Sequence, residues 1–215
     1  MAGAMSDGEV QALFDRANAL GGSAEAARAL YHDWAPVYDG TLERFGRYLS
    51  PDRIAGVLVG RGLGPGARVL EVACGTGLLG AALARRGYAH LTGLDLSPEM
   101  LAEAGRKGCY ERLIEADVLG FVAEAPFDGV VAAGVLTMGH LGVEGFRVML
   151  ESLAPGGVLA VDVEADTFAR QGFAAELAAR MEEGFLAGFS LEEGHFYESP
   201  PEEPWHGHFL TAWRG

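Results

Sequence analysis

The chain has 215 residues, of which 49% are hydrophobic, and 30 acidic against 16 basic residues give a formal net charge of −14. That length and apolar content suit one α/β core with a modest elaboration, while the acidic balance and dispersed basic side chains disfavour nucleic acid and leave a small molecule or metabolite as partner. No apolar run reaches the roughly 18–20 residues of a membrane span, so no membrane partner is expected.

The N-terminus "MAGAMSDGEV" lacks the apolar stretch of a secretory leader, which makes the expected location cytoplasmic. Helical spacing of apolar residues follows over 8–20, 23–33 and 51–61. From residue 67 short apolar runs alternate with helical patterns, the signature of parallel strands joined by crossover helices. The predicted strands are "ARVLEVA" (67–73), "HLTGLD" (90–95), "RLIEA" (112–116), "FDGVVAAG" (127–134) and "GGVLAVDV" (156–163). The predicted helices between them are 77–87, 97–107 and 143–153. Ser97 before Pro98 is a sound helix start, with a hydroxyl at the cap and proline in the first turn. A helical stretch is expected around 167–187, then two antiparallel strands, "GHFYES" and "GHFLTAWR", around the turn "PPEEP". The fold expected is therefore a Rossmann-like, doubly wound α/β sheet, mostly parallel with one antiparallel strand near the C-terminal edge. Residues 1–62 form an N-terminal helical lid on a core of residues 63–215, within one structural domain. Cys74 and Cys109 are too few for a disulfide framework or zinc site, and free thiols are expected.

The stretch "VLEVACGTGLLG" (69–80) carries Gly75, Gly77 and Gly80 at the spacing G-x-G-x-x-G. In a chain with 32 glycines that pattern alone is weak. Its flanks select the ligand. Glu71 ends the preceding strand, where a dinucleotide's pyrophosphate would normally approach, and a carboxylate there repels phosphate. No lysine follows the glycines, so the triphosphate-binding loop is absent. The combination suits a cationic, phosphate-free nucleoside such as S-adenosylmethionine (SAM). Asp95 at the end of the second strand is placed to accept both ribose hydroxyls, and Asp117 after the third to accept an adenine amine. Taken singly, either aspartate is also an ordinary turn former.

"LEVACGTG", "GLDLSPEML", "EADV", "FDGVVAAGVL" and "LAPGGVLAV" resemble, in this order, the successive motifs of class I SAM-dependent methyltransferases, over about residues 28–163. The segments "YHDWAPVYD" (31–39) and "RGYAHLTGLDLSPEMLAEAGRKGCY" (86–110), with the closing "HGHFLTAWR", resemble more narrowly the methyltransferase-like family of the Williams–Beuren syndrome region, close to ubiquinone-biosynthesis-type methylases. One departure is Ala73, which stands at the first glycine position of the family loop; it is expected to need only a negative φ.

The resemblance implies a cofactor site and its occupants. Glu71, Ala73, Gly75 and Gly77 surround the methionine part and sulfonium. Asp95 holds the ribose, Leu96 and Met100 lie against the adenine, and Asp117 with Val118 address its edge. Ala133 and Gly134 flank the cofactor at the fourth strand, and Tyr31, Trp34 and Tyr38 belong to a segment folded over it. The product is S-adenosylhomocysteine. The competing reading of the three aromatics is plain core packing.

Methyl transfer from a sulfonium is an in-line displacement in which proximity supplies much of the catalysis. A general base is needed only for an acceptor protonated at working pH. His140 in "LTMGHLG" is the base candidate, against the alternative that it only shapes its loop. His206 and His208 alternate on one strand face, but without a third ligand in spacing no metal is expected. The function expected is methyl transfer from SAM to a small-molecule acceptor; a non-catalytic module that binds SAM or S-adenosylhomocysteine is the alternative.

Overall fold

The computed structural model describes residues 6–198 and 206–215; the turn "PPEEP" lies outside the described residues. The N-terminal segment is helical: α1 (Asp7–Asn18), α2 (Ala24–Trp34), α3 (Tyr38–Phe45) and α4 (Ser50–Gly60). Ser6 and Glu9 cap α1 reciprocally and Ser23 caps α2, which fixes where each helix starts. The short α3 has no counterpart in the sequence expectation, because its eight residues give too little periodicity to read.

Strands and helices then alternate: β1 (Arg68–Val72), α5 (Leu78–Ala84), β2 (His90–Asp95), α6 (Pro98–Arg106), β3 (Arg112–Glu115), β4 (Phe127–Leu136), α7 (Val143–Glu151) and β5 (Leu153–Glu164). They are followed by α8 (Ala165–Arg170), α9 (Phe173–Glu182), β6 (Leu186–His195) and β7 (His206–Arg214). The seven strands form one sheet in the order β3-β2-β1-β4-β5-β7-β6. The first five run parallel, and β7 is antiparallel to both β5 and β6. This is the expected mostly parallel sheet with its reversed strand near the C-terminal edge.

Two expectations near that edge need correction. The stretch expected to be helical over 167–187 breaks at Gly172 (φ +81) and ends before Gly184 (φ +71), both in the left-handed region that helices cannot continue through. Strand β6 therefore begins at Leu186, eight residues before the predicted "GHFYES". The residues after it turn back onto the N-terminal segment: Tyr48 bridges Tyr197, and Leu49 N–H donates to Phe196 O at 2.8 Å.

Alternation along the central strands sorts side chains between two cores. Val69, Leu91, Val131 and Ala160 pack with Val10, Phe14, Leu30, Trp34, Ile54 and Leu58 from the N-terminal helices. Leu70, Val72, Leu94, Val130 and Val161 face the other layer with Phe146, Met149, Phe173 and Leu177 from α7 and α9. The N-terminal segment is thus part of the hydrophobic core on one face of the sheet.

The glycine loop after β1 shows a third departure. Ala73 has φ +52 and is the one non-glycine residue with positive φ among the described residues. The loop is tied immediately after it: Cys74 N–H donates to Leu94 O at 2.9 Å, and Gly75 N–H to Asp95 Oδ2 at 2.8 Å. These ties to the end of β2 impose the left-handed turn whatever residue occupies it. The left-handed conformation costs an alanine about 1–2 kcal/mol, offset in part by the extra unfolded-state freedom of glycine. Ala73→Gly should therefore raise stability by about 0.5–1 kcal/mol, read as a higher Tm; a lower Tm would show that the Ala73 methyl contributes packing that outweighs the strain.

Candidate active site

The carboxyl ends of β1, β2 and β4, with α2 laid across them, line an open cleft. Parallel sheets place ligands at this edge, where the strand order reverses beside β1. Of the residues singled out in the sequence, Tyr31, Tyr38, Ala73, Gly75, Asp95, Leu96, Met100, Asp117, Val118, Ala133, Gly134 and His140 all line the cleft. Trp34, Glu71 and Gly77 do not.

Asp95 is the organising side chain. It is 9% exposed, with Oδ2 accepting Gly75 N–H at 2.8 Å and Oδ1 accepting Ser97 N–H at 2.9 Å. One carboxylate so fixes the glycine loop and the start of α6 together. Burial raises its pKa, against the lowering effect of those backbone donors. Ser97 caps α6 through Met100 N–H at 3.2 Å, which sets the buried Met100 against the cleft. Asp117 is exposed at the rim, where Oδ1 accepts Leu119 N–H at 2.9 Å.

Glu71 is placed differently from the expectation. It is 3% exposed, outside the cleft lining, and Oε2 accepts the Tyr110 hydroxyl at 2.7 Å. Gly80 makes this possible, since a β-carbon there would collide with the Tyr110 hydroxyl. The third glycine of the loop motif therefore admits a ring from the α6–β3 connection. Burial pushes Glu71 from 4.5 up to about 8, although the Tyr110 hydroxyl lowers it. At neutral pH the group is mostly protonated, so its electrostatic case against phosphate weakens.

That shift has a signed consequence. The folded state holds a proton that the unfolded state releases above about 4.5, so the stability it contributes is full in acid. It is lost as pH rises toward about 8. The urea midpoint should fall between pH 5 and 8 more steeply for the wild type than for Glu71→Gln; parallel profiles would assign the slope to other groups.

The cover is tied down at several points. Lys107 Nζ donates to Asp39 Oδ2 and to Thr76 O, both at 2.7 Å, and Thr76 Oγ1 donates to Asp39 Oδ1 at 2.5 Å. This joins α3 to the glycine loop. Arg28 lines the cleft, and its guanidinium reaches Leu96 O at 3.3 Å and Glu115 at 3.8 Å. Sequence reasoning did not single out Arg28, Asp39, Thr76, Lys107 or Tyr110. All but Arg28 stood in quoted motifs, but no local pattern marks a contact spanning 31 to 68 residues.

His140 is half-buried, with both ring nitrogens engaged: Nε2 with Tyr31 Oη at 2.7 Å and Nδ1 with Thr137 Oγ1 at 2.8 Å. Burial lowers its pKa to about 4. So placed, its neutral form is favoured and both ring nitrogens are already engaged, by Tyr31 and Thr137. His208 packs tilted against Phe168 at 4.6 Å, and among the described residues no three His, Cys, Asp or Glu side chains gather as a metal site.

Residues 69–157 match the methyltransferase domain family. Methyltransferase-like protein 27 of Homo sapiens is 35% identical over 152 residues, which are 67% of this chain and 61% of that protein. Ubiquinone biosynthesis O-methyltransferase of Xylella fastidiosa strain 9a5c is 45% identical over 78 residues, 33% of this chain and 31% of its own. The matched part thus spans between a third and six-tenths of these relatives' length. A solved structure of magnesium protoporphyrin IX methyltransferase (ChlM) from Synechocystis PCC 6803 with bound SAM superposes with a TM-score of 0.59 at 20% identity, over 100% of both chains. At that identity the likeness is one of fold.

Proposed function

We propose, on the premise that the chain belongs to the class I SAM-dependent methyltransferases, that it transfers a methyl group from SAM to a small-molecule acceptor. The observation that carries the reading is Asp95, held at the end of β2 by the glycine loop and Ser97 while lining the cleft. Its oxygens each keep a lone pair for the ribose hydroxyls. Leu96 and Met100 provide an apolar wall for the adenine, with Asp117 and Val118 at its edge. Ala73 and Gly75 leave room for the methionine part, and Ala133 with Gly134 lie opposite. Bound there, SAM supplies a methyl group already activated as a sulfonium.

The protein's own part is to orient and to exclude water. Tyr31 and Tyr38 close the cleft from α2 and α3, and the Tyr31–His140–Thr137 chain fixes the Tyr31 hydroxyl at its inner end. A small acceptor fits a cleft covered in this way, and the net charge of −14 agrees with an uncharged or cationic one. Calorimetry should show S-adenosylhomocysteine binding, with no comparable binding of NAD or ATP. Labelled SAM with a metabolite extract should then yield a labelled product. Tighter binding of NAD would overturn the cofactor, and binding without turnover would leave a binding module.

A further inference from the structure

The Tyr31–His140 pair also lines a smaller chamber beside the cleft, which shares Tyr31, Tyr38, Gly134 and His140 with it. Rings make most of its other walls, among them Trp34, Tyr48 and Tyr197. Trp34 and Tyr38 meet edge to face at 4.9 Å, and Tyr48 and Tyr197 stack at 4.9 Å. Among the described residues no Lys, Arg, Asp or Glu lines it.

A carboxylate stands immediately behind. Asp162 on β5 is 2% exposed; Oδ1 accepts Gly134 N–H at 2.7 Å, and burial raises its pKa to about 6, against the lowering effect of Ser50 and Gly134. The buried indole N–H of Trp34 lacks a hydrogen-bond partner. Burial first, with the Asp162 charge adding to it, raises the Tyr48, Tyr38 and Tyr197 hydroxyls. The field of Asp162 therefore reaches three rings of the chamber. Aromatic faces and a nearby carboxylate both attract a cation. A carboxylate or phosphate would lose its water there and meet no counter-charge.

The proton bookkeeping points the same way. A hydroxyl acceptor must lose a proton during transfer, and a useful base has a pKa near working pH. His140, held near 4 by burial, does not meet that need, and Asp162, raised to about 6, lies outside the chamber's lining. An amine that has shed its proton to bulk water needs no base. Its lone pair forms the N–C bond, the S–C bond breaks with its electron pair left on sulfur, and the positive charge passes from sulfur to nitrogen. The chamber's rings and Asp162 then face an ammonium product.

We infer that this chamber is the acceptor site and that it takes an amine head group, in preference to a hydroxyl- or carboxylate-bearing acceptor. The inference rests on the methyltransferase reading above. Its test compares choline, a product-like quaternary ammonium, with 3,3-dimethylbutan-1-ol, which has the same shape with carbon in place of the charged nitrogen. Both are titrated by NMR into the full chain, with and without saturating S-adenosylhomocysteine; phenol and benzoate are run alongside. Choline should bind at least tenfold more tightly than the neutral isostere, and benzoate should not bind. Asp162→Asn should lower choline affinity severalfold and leave the isostere unaffected; if that variant does not fold, the wild-type comparison decides. Equal binding of the two isosteres, preference for phenol or benzoate, or no binding of choline overturns the amine assignment. Failure of S-adenosylhomocysteine to bind overturns the methyltransferase reading instead.

Discussion

Trp34→Ala should destabilise the protein by about 3–5 kcal/mol, the range for removing a large buried aromatic. Trp34 is 2% exposed and sits among Phe14 at 5.4 Å, Tyr31 at 5.8 Å and Tyr38 at 4.9 Å between ring centroids. Its indole N–H has no partner, so truncation orphans nothing; the loss is packing and a cavity. Equilibrium unfolding in urea measures it. A loss below about 1 kcal/mol would show that the N-terminal helices dock loosely. The same burial bears on the expectation that residues 1–62 form a lid. Deleting residues 1–40 removes Val10, Phe14, Leu30 and Trp34 from the cluster that holds Ile54, Leu58 and Val69. The remaining chain should unfold or aggregate, because the segment is cover and core at once.

Asp95→Ala should weaken S-adenosylhomocysteine binding by at least 10- to 100-fold, since each hydrogen bond to a charged group contributes about 1.5–3 kcal/mol. Here the loss is compounded. The variant also leaves Gly75 N–H and Ser97 N–H without their acceptor, so the loop that receives the ligand loosens with it. Asp95→Asn keeps one accepting oxygen and should fall between alanine and wild type. Calorimetry gives the affinities, and circular dichroism separates local loosening from unfolding. An unchanged dissociation constant in Asp95→Ala would confine Asp95 to a structural role.

Much of the sheet was legible because parallel strands buried on both faces write continuous apolar runs, such as "VLAV" (158–161) in β5. Helix starts were legible where a cap is local, as at Ser97 and Pro98. What escaped was set by partners far along the chain. The left-handed Ala73 follows from ties to Leu94 and Asp95, and the turning away of Glu71 from a tyrosine 39 residues on. The early start of β6 escaped for a different reason: "AAELAARMEEGFLAGF" keeps helical spacing across Gly184, and pairing with β7 decides the matter. Twelve of the residues picked from the motifs line the cleft because strand ends are local facts. The lowered pKa of His140 is not local, since it follows from burial, and its partner Tyr31 lies 109 residues away.

The Lys107–Asp39–Thr76 triangle has a kinetic side. Lys107 is 22% and Asp39 44% exposed, so ions reach this ion pair, whereas Trp34 and Leu42 of the packing beneath it are buried. Raising ionic strength from about 0.01 to 0.15 M shortens the screening length from about 30 to 8 Å, and the tie weakens while the packing does not. The tie holds α3, and with it Tyr38, over the cleft. Residence time, more than equilibrium occupancy of the closed form, is then the quantity salt controls: ligand should escape faster in strong electrolyte.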